Sequence, residues 1–129
     1  MILPLFAGGV VGTALRVAGF IAYPPATGGV PWVTLAENLS GALALGLLTP
    51  FLLQDRRHDR RGLFWATGVL GSYTTFSAMA LEGAALLATG AFSAALIYLG
   101  LSLLVGPPLA LAGLATGDRL LRDRNRGAA

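Results

Sequence analysis

The sequence contains no cysteine, which removes disulfide frameworks, thiolate metal sites and cysteine nucleophiles from consideration. Charge is scarce as well: 12% of the 129 residues are charged, roughly half the share of an ordinary soluble domain. Histidine occurs once, as His58, among arginines. There is no Ser/His/Asp constellation, no glycine-rich phosphate loop and no histidine cluster, so the chain carries no machinery expected of an enzyme. What it has in excess is apolar surface. Hydrophobic residues make up 55% of the chain and the mean hydropathy is +0.72, a composition suited to lipid rather than water.

The few charges are segregated. Apart from Arg16, Glu37 and Glu82, they fall in segment 55–61 and in the tail 118–129. Between them lie four stretches, 2–23, 32–53, 63–88 and 92–116, each reaching the roughly 20 apolar residues that a spanning helix needs. Local chemistry separates them: Pro24-Pro25, Gly28-Gly29 and Pro31, then the Asp/Arg segment, then Thr89-Gly90. Trp32 and Trp65 fall near predicted ends, as interfacial aromatics do. Segment 1–7 lacks the basic flank of a cleavable leader, so the first span is expected to be retained.

The basic residues also predict orientation. Arg56, Arg57, Arg60 and Arg61 lie in the second connection, and Arg119, Arg122, Arg124 and Arg126 in the tail, whereas the first and third connections have none. Both termini are therefore expected to be cytoplasmic. The same reasoning explains the pI of about 10.2 without a nucleic-acid partner.

Small residues recur at helical spacing, at Gly8 and Gly12, at Gly9 and Thr13, and at Gly41, Leu45 and Gly46, a pattern that lets helices approach closely. Pro107-Pro108 is expected to kink the fourth span, because neither residue donates a main-chain hydrogen bond.

Polar groups at membrane depth are costly and need a partner, a bundle interior or water. Arg16 shares a face with Gly9, Gly12 and Thr13, and either reaches an aqueous vestibule, snorkels to the interface or pairs with a glutamate. Asn38, on the face of Thr34, Gly41 and Leu45, is an amide donor among small residues. Glu37 points about a quarter turn away, either buried neutral or paired with Arg16. Glu82 stands two turns beyond Thr75 on the same face, where it can line a path or bond to a neighbouring helix. Within the third span, GVLGSYTTFS (68–77) combines Gly, Ser and two threonines that disfavour a continuous helix. A break there frees main-chain carbonyls at mid-membrane, to be satisfied by a cation or by threonine hydroxyls bonding back to the chain.

This segment resembles the GxxGxxTTFS signature of CrcB/Fluc fluoride channels. TLAENLSG (34–41) is similar to their second-helix TLxxNxxG, and GGVVGTALR (8–16) to their first-helix GGxxGAxxR. The three motifs follow the family's order, and the resemblance covers essentially the whole chain. It implies an all-α four-helix membrane protein, broken near the centre of its third helix, that forms an antiparallel dimer in the cell membrane of a prokaryote. It further implies two fluoride pores and a structural, non-transported sodium ion held by main-chain carbonyls at Gly71 and Thr74. On the pore, Asn38, Thr75 and Ser77 would supply donors that replace fluoride's water, Phe76 its electropositive ring edge, and Arg16 a vestibule that concentrates anions. Met79 and Glu82 would line the same route.

Three departures accompany the resemblance. The family usually shows TTFSTF, whereas this chain reads TTFSAM, with Met79 in place of a second phenylalanine and no rigid ring edge there. Glu37 stands where an apolar residue is usual. The charge bias is also one-sided, eight arginines against none, and arginine keeps its charge at any relevant pH. The expected partner is therefore a second, oppositely biased family member rather than another copy. The competing readings are a non-conducting partner subunit and a small proton-coupled exporter using Glu37 or Glu82.

Overall fold

The computed structural model describes residues 2–54 and 59–127, and every regular element among them is a helix. Helix α1 is Ile2–Ala22 and α2 is Trp32–Gln54. The short α3, Asp59–Gly62, leads into a π-helical stretch, Leu63–Leu70, followed by α4, Gly71–Tyr73. Thr74 and Thr75 are extended, α5 is Phe76–Ala88, and α6 is Phe92–Gly127. Asp55, Arg56, Arg57 and His58, which carry much of the expected basic connection, lie outside the described residues, as do Met1, Ala128 and Ala129.

The segments Ile2–Ala22, Trp32–Leu53 and Phe92–Gly127 are long and apolar enough to cross a membrane. The third predicted span is divided at Thr74-Thr75, so neither half reaches that length alone. The surface matches the hydropathy. Ile2, Phe6 and Ile21 on α1, Leu81 on α5, and Leu96 and Leu104 on α6 are all largely exposed, an apolar exterior that water would not tolerate over such an area. Trp32 and Trp65 are exposed as well.

Sequence chemistry sets the boundaries. Between α1 and α2 the chain turns through Gly28, whose φ of 72° is open to glycine at little cost, and the Gly29 N–H donates to the Ala26 carbonyl at 3.0 Å. The α5–α6 turn uses Gly90 at φ 78° in the same way. α6 differs from expectation in its length: it stays helical through Pro107-Pro108 and continues beyond 116 to Gly127. Two missing N–H groups are a small fraction of a 36-residue ladder, and the arginines and leucines that follow the apolar span are good helix formers.

Glycines bring the backbones together. A Cβ at Gly8 would strike the Phe64 carbonyl oxygen, and one at Gly12 the Val69 carbonyl oxygen, so α1 lies directly on the π-helical stretch. Gly68 returns the contact, leaving only 2.8 Å between a hypothetical Cβ and the Gly8 Cα. Such approaches place Cα–H groups against carbonyls, a weak but repeated attraction. α2 and α6 form a second seam, with Gly46 against the Ala110 carbonyl, Gly113 against that of Leu43 and Gly117 against that of Leu47. A third cluster joins α2, α5 and α6 through Leu35, Met79, Leu86, Ala95 and the fully buried Tyr98. The expected Gly9–Thr13 face meets little among the described residues beyond Ser72. It opens instead on a groove with Phe6, Val10 and Ser72.

Candidate functional site

The centre of the third span unwinds where its residues are poor helix formers. Thr74 adopts φ −80° and ψ 151°, and Thr75 adopts φ −150° and ψ 113°. Local hydroxyls secure both ends. Thr74 Oγ1 donates to the Leu70 carbonyl at 2.9 Å, closing the preceding turn, and Thr75 Oγ1 accepts from the Ala78 N–H at 3.2 Å as the N-cap of α5.

The extended main chain between these ends is held from another helix. Asn38 Oδ1 accepts from the Thr75 N–H at 2.7 Å, and Asn38 Nδ2 donates to the Thr75 carbonyl at 3.1 Å. One side-chain amide thus pairs both polar main-chain groups of a residue that is only 8% exposed, as a neighbouring strand would. α2 can approach because Gly41, one turn beyond Asn38, has no side chain where Thr74 Cγ2 sits.

This bonding has a consequence for the carbonyls. In a continuous α-helix the N–H of residue i bonds to the carbonyl of i−4, so Thr75 N would serve Gly71 and Ala78 N would serve Thr74. Both donors are engaged elsewhere, one by Asn38 and one by Thr75 Oγ1. The carbonyls of Gly71 and Thr74 are left without their helical donors, which is the chemistry a hard cation needs from neutral oxygen ligands. Among the described residues no group of three or more His, Cys, Asp or Glu side chains could hold a metal. A cation at the break would therefore be met by main-chain oxygens and not by such a side-chain cluster.

Two cavities flank the break and share Thr75. One, of about 340 Å³, is lined by Asn38, Gly71, Thr74, Thr75, Phe76 and Met79, with small residues of α2 and α6 behind them. The other, of about 440 Å³, is lined by Arg16, Thr34, Glu37, Thr75, Ser77 and Glu82. The predicted site residues are thus brought together in two groups, with the Thr75 and Ser77 hydroxyls, 3.3 Å apart, near the junction. Phe76 is 76% exposed on the surface of the chain. Met79, 9% exposed, faces the first cavity while packing in the α2–α5–α6 cluster.

Glu82 is anchored. Its Oε1 accepts from Thr34 Oγ1 at 2.8 Å and its Oε2 from the Tyr98 hydroxyl at 2.5 Å. Of the two placements open to it, it bonds to neighbouring helices, and it also lines the second cavity. Tyr98 is absent from the residues that the sequence singles out. Its signal was a phenol set between Ile97 and Leu99 in an apolar span, where the hydroxyl must find a partner.

The chain matches the family model described as "CrcB-like protein, Camphor Resistance (CrcB)" over residues 3–114. Curated relatives named "Fluoride-specific ion channel FluC" align along most of its length. One from Hyphomonas neptunium is 40% identical over 116 residues, covering 88% of this chain and 91% of the relative. One from Thermus thermophilus is 37% identical over 115 residues, covering 88% and 92%. One from Beijerinckia indica is 45% identical over 98 residues, covering 74% of each.

Proposed function

The chain belongs to the CrcB-like family, and from that premise we propose that it is a subunit of a fluoride-selective channel through which fluoride leaves the cytoplasm passively, lowering its toxicity. The observation that carries this reading is the Asn38–Thr75 pairing. It holds a stretch of unwound chain between two cavities and leaves donors facing them.

Fluoride surrenders its water only where donors replace it. Asn38 Nδ2 spends one hydrogen on the Thr75 carbonyl and keeps the other. Thr75 Oγ1 accepts from Ala78 N, so its own proton is available to Ser77 or to an anion. Ser77 adds a further hydroxyl. Phe76 lines the same cavity as Asn38 and would offer an anion its electropositive ring edge, and Arg16 would raise the local concentration of anions in the other. Glu82 acts by holding Thr34 and Tyr98 in place along the route.

A structural, non-transported sodium ion would be held by the carbonyls of Gly71 and Thr74, and when bound it supplies positive charge close to the anion path. The subunit has four spans, the third one broken, with both termini in the cytoplasm of a prokaryotic cell. It pairs with an oppositely inserted subunit, which would cover the exposed Phe76 ring. The eight arginines on one side of the chain favour a second family member as that partner. Met79, buried where a ring edge would be expected, supports a second reading in which this chain completes the dimer while the partner conducts.

The test is fluoride efflux from liposomes, followed with a fluoride electrode, for this chain alone and together with an oppositely biased family member. A channel dissipates a fluoride gradient without a proton gradient and leaves chloride behind. A silent chain that activates its partner supports the second reading, and silence in both preparations refutes both.

A further inference from the structure

Glu37 takes part in none of the side-chain hydrogen bonds above, yet among the described residues it is one of the few buried polar side chains. It is 6% exposed, and its Oε1 accepts no hydrogen bond. Room for the carboxyl is made by α1. A Cβ at Gly19 would lie 2.6 Å from Glu37 Oε1 and 3.2 Å from Val33 Cγ1, so glycine there leaves the space in which the carboxyl sits. That space opens on the cavity shared by Arg16, Thr34, Thr75, Ser77 and Glu82. Of the two alternatives for Glu37, pairing with Arg16 or burial, this oxygen takes the second. Arg16 lines the same cavity without bonding to it.

The surroundings define what the carboxyl can do. From α1 it faces Arg16, and from α5 it faces Glu82, whose two oxygens are occupied by Thr34 and by Tyr98 of α6. Thr75 and Ser77 contribute hydroxyls. An ionised carboxylate accepts hydrogen bonds only, whereas a protonated carboxyl also donates one. Ionised, Glu37 offsets the charge of Arg16 and repels an approaching anion. Protonated, it leaves Arg16 uncompensated and adds an O–H donor beside the hydroxyls of Thr75 and Ser77.

Building on the channel reading above, we propose that Glu37 is a protonatable donor on the fluoride path, and that an anion crosses the Arg16-lined cavity while the Glu37 carboxyl carries its proton. The proton stays on the carboxyl during passage, so permeation remains passive. It becomes dependent on pH without being driven by a pH difference.

The experiment is fluoride efflux from liposomes holding the full chain, at equal pH on both sides, stepped from about pH 8 to about pH 5.5. Leak of the undissociated acid is subtracted with protein-free liposomes. Efflux by the unaltered protein should rise on acidification, by up to the roughly tenfold per pH unit of a single proton while the carboxyl is mostly ionised, and level off once it is protonated. E37Q, isosteric and permanently able to donate, should be flat with pH and at least as fast as the unaltered protein at its acid end. E37A, which removes the donor, should be flat and slow. Efflux that is present but flat in the unaltered protein overturns the proposal alone. So does a pH dependence that persists in E37Q, or one that disappears in E82Q while E37Q keeps it. Absence of fluoride efflux at every pH, with or without a partner subunit, overturns the channel reading and this proposal with it.

Discussion

Replacing Asn38 by aspartate changes a single polar atom at the residue that bridges the helix break. Oδ1 would still accept from the Thr75 N–H, 2.7 Å away. The second oxygen would occupy the place of Nδ2, facing the Thr75 carbonyl at 3.1 Å, so a donor–acceptor pair becomes two acceptors. Because Thr75 is only 8% exposed, its carbonyl loses its partner in a buried setting, which costs about 1–3 kcal/mol. A fluoride ion passing within about 4 Å of the new charge meets a repulsion of up to about 4 kcal/mol at the effective dielectric of a partly hydrated site. A barrier raised by that amount slows passage roughly 1,000-fold. Asn38→Asp should therefore abolish measurable fluoride efflux from liposomes while lowering thermal stability in detergent only modestly. Efflux within about threefold of the unaltered protein would remove Asn38 from the path.

Other consequences follow from the packing. Gly12→Val drives a side chain into the Val69 carbonyl and should cost about 1–3 kcal/mol, whereas Gly100→Ala meets nothing within 4 Å and should stabilise α6 by about 0.5–1 kcal/mol; thermal unfolding in detergent compares the two. Tyr98→Phe removes the donor to Glu82 Oε2 and should lower stability by about 1–3 kcal/mol, read in the same assay. Replacing sodium by a large organic cation should lower the melting temperature of the assembled protein, because a ligand that binds only the folded state stabilises it, and an unchanged value would argue against the Gly71–Thr74 cation site. Cysteine-accessibility mapping of the 118–129 tail in cells should label it from the cytoplasmic side alone, and substantial labelling from both sides would refute a fixed orientation.

Much of this architecture was legible because it depends on local chemistry. α1 and α2 end within a residue of expectation, where hydrophobic length runs out beside Pro24-Pro25 and Gln54. The broken third span was legible from Gly71, Ser72, Thr74 and Thr75, which cannot sustain a helix well. What escaped the sequence depends on groups far apart in the chain. Asn38 meets Thr75 across 37 positions, and Tyr98 meets Glu82 across 16 on another helix. Neither spacing has a periodic signature. The π-helical register of Leu63–Leu70 was likewise hidden, and it coincides with the stretch on which Gly8 and Gly12 pack. The length of α6 was underestimated because hydropathy ends near residue 116 while helix propensity does not.

The central claim is that the third span unwinds at Thr74-Thr75 under the grip of Asn38 and so exposes main-chain oxygens to a cation. A density map of the protein in lipid, with sodium present, tests it most directly. It should show Asn38 against Thr75, two extended residues and an ion at the carbonyls of Gly71 and Thr74 where two subunits meet. An uninterrupted helix through Thr74 and Thr75, with Asn38 turned away and no ion beside it, would contradict the account.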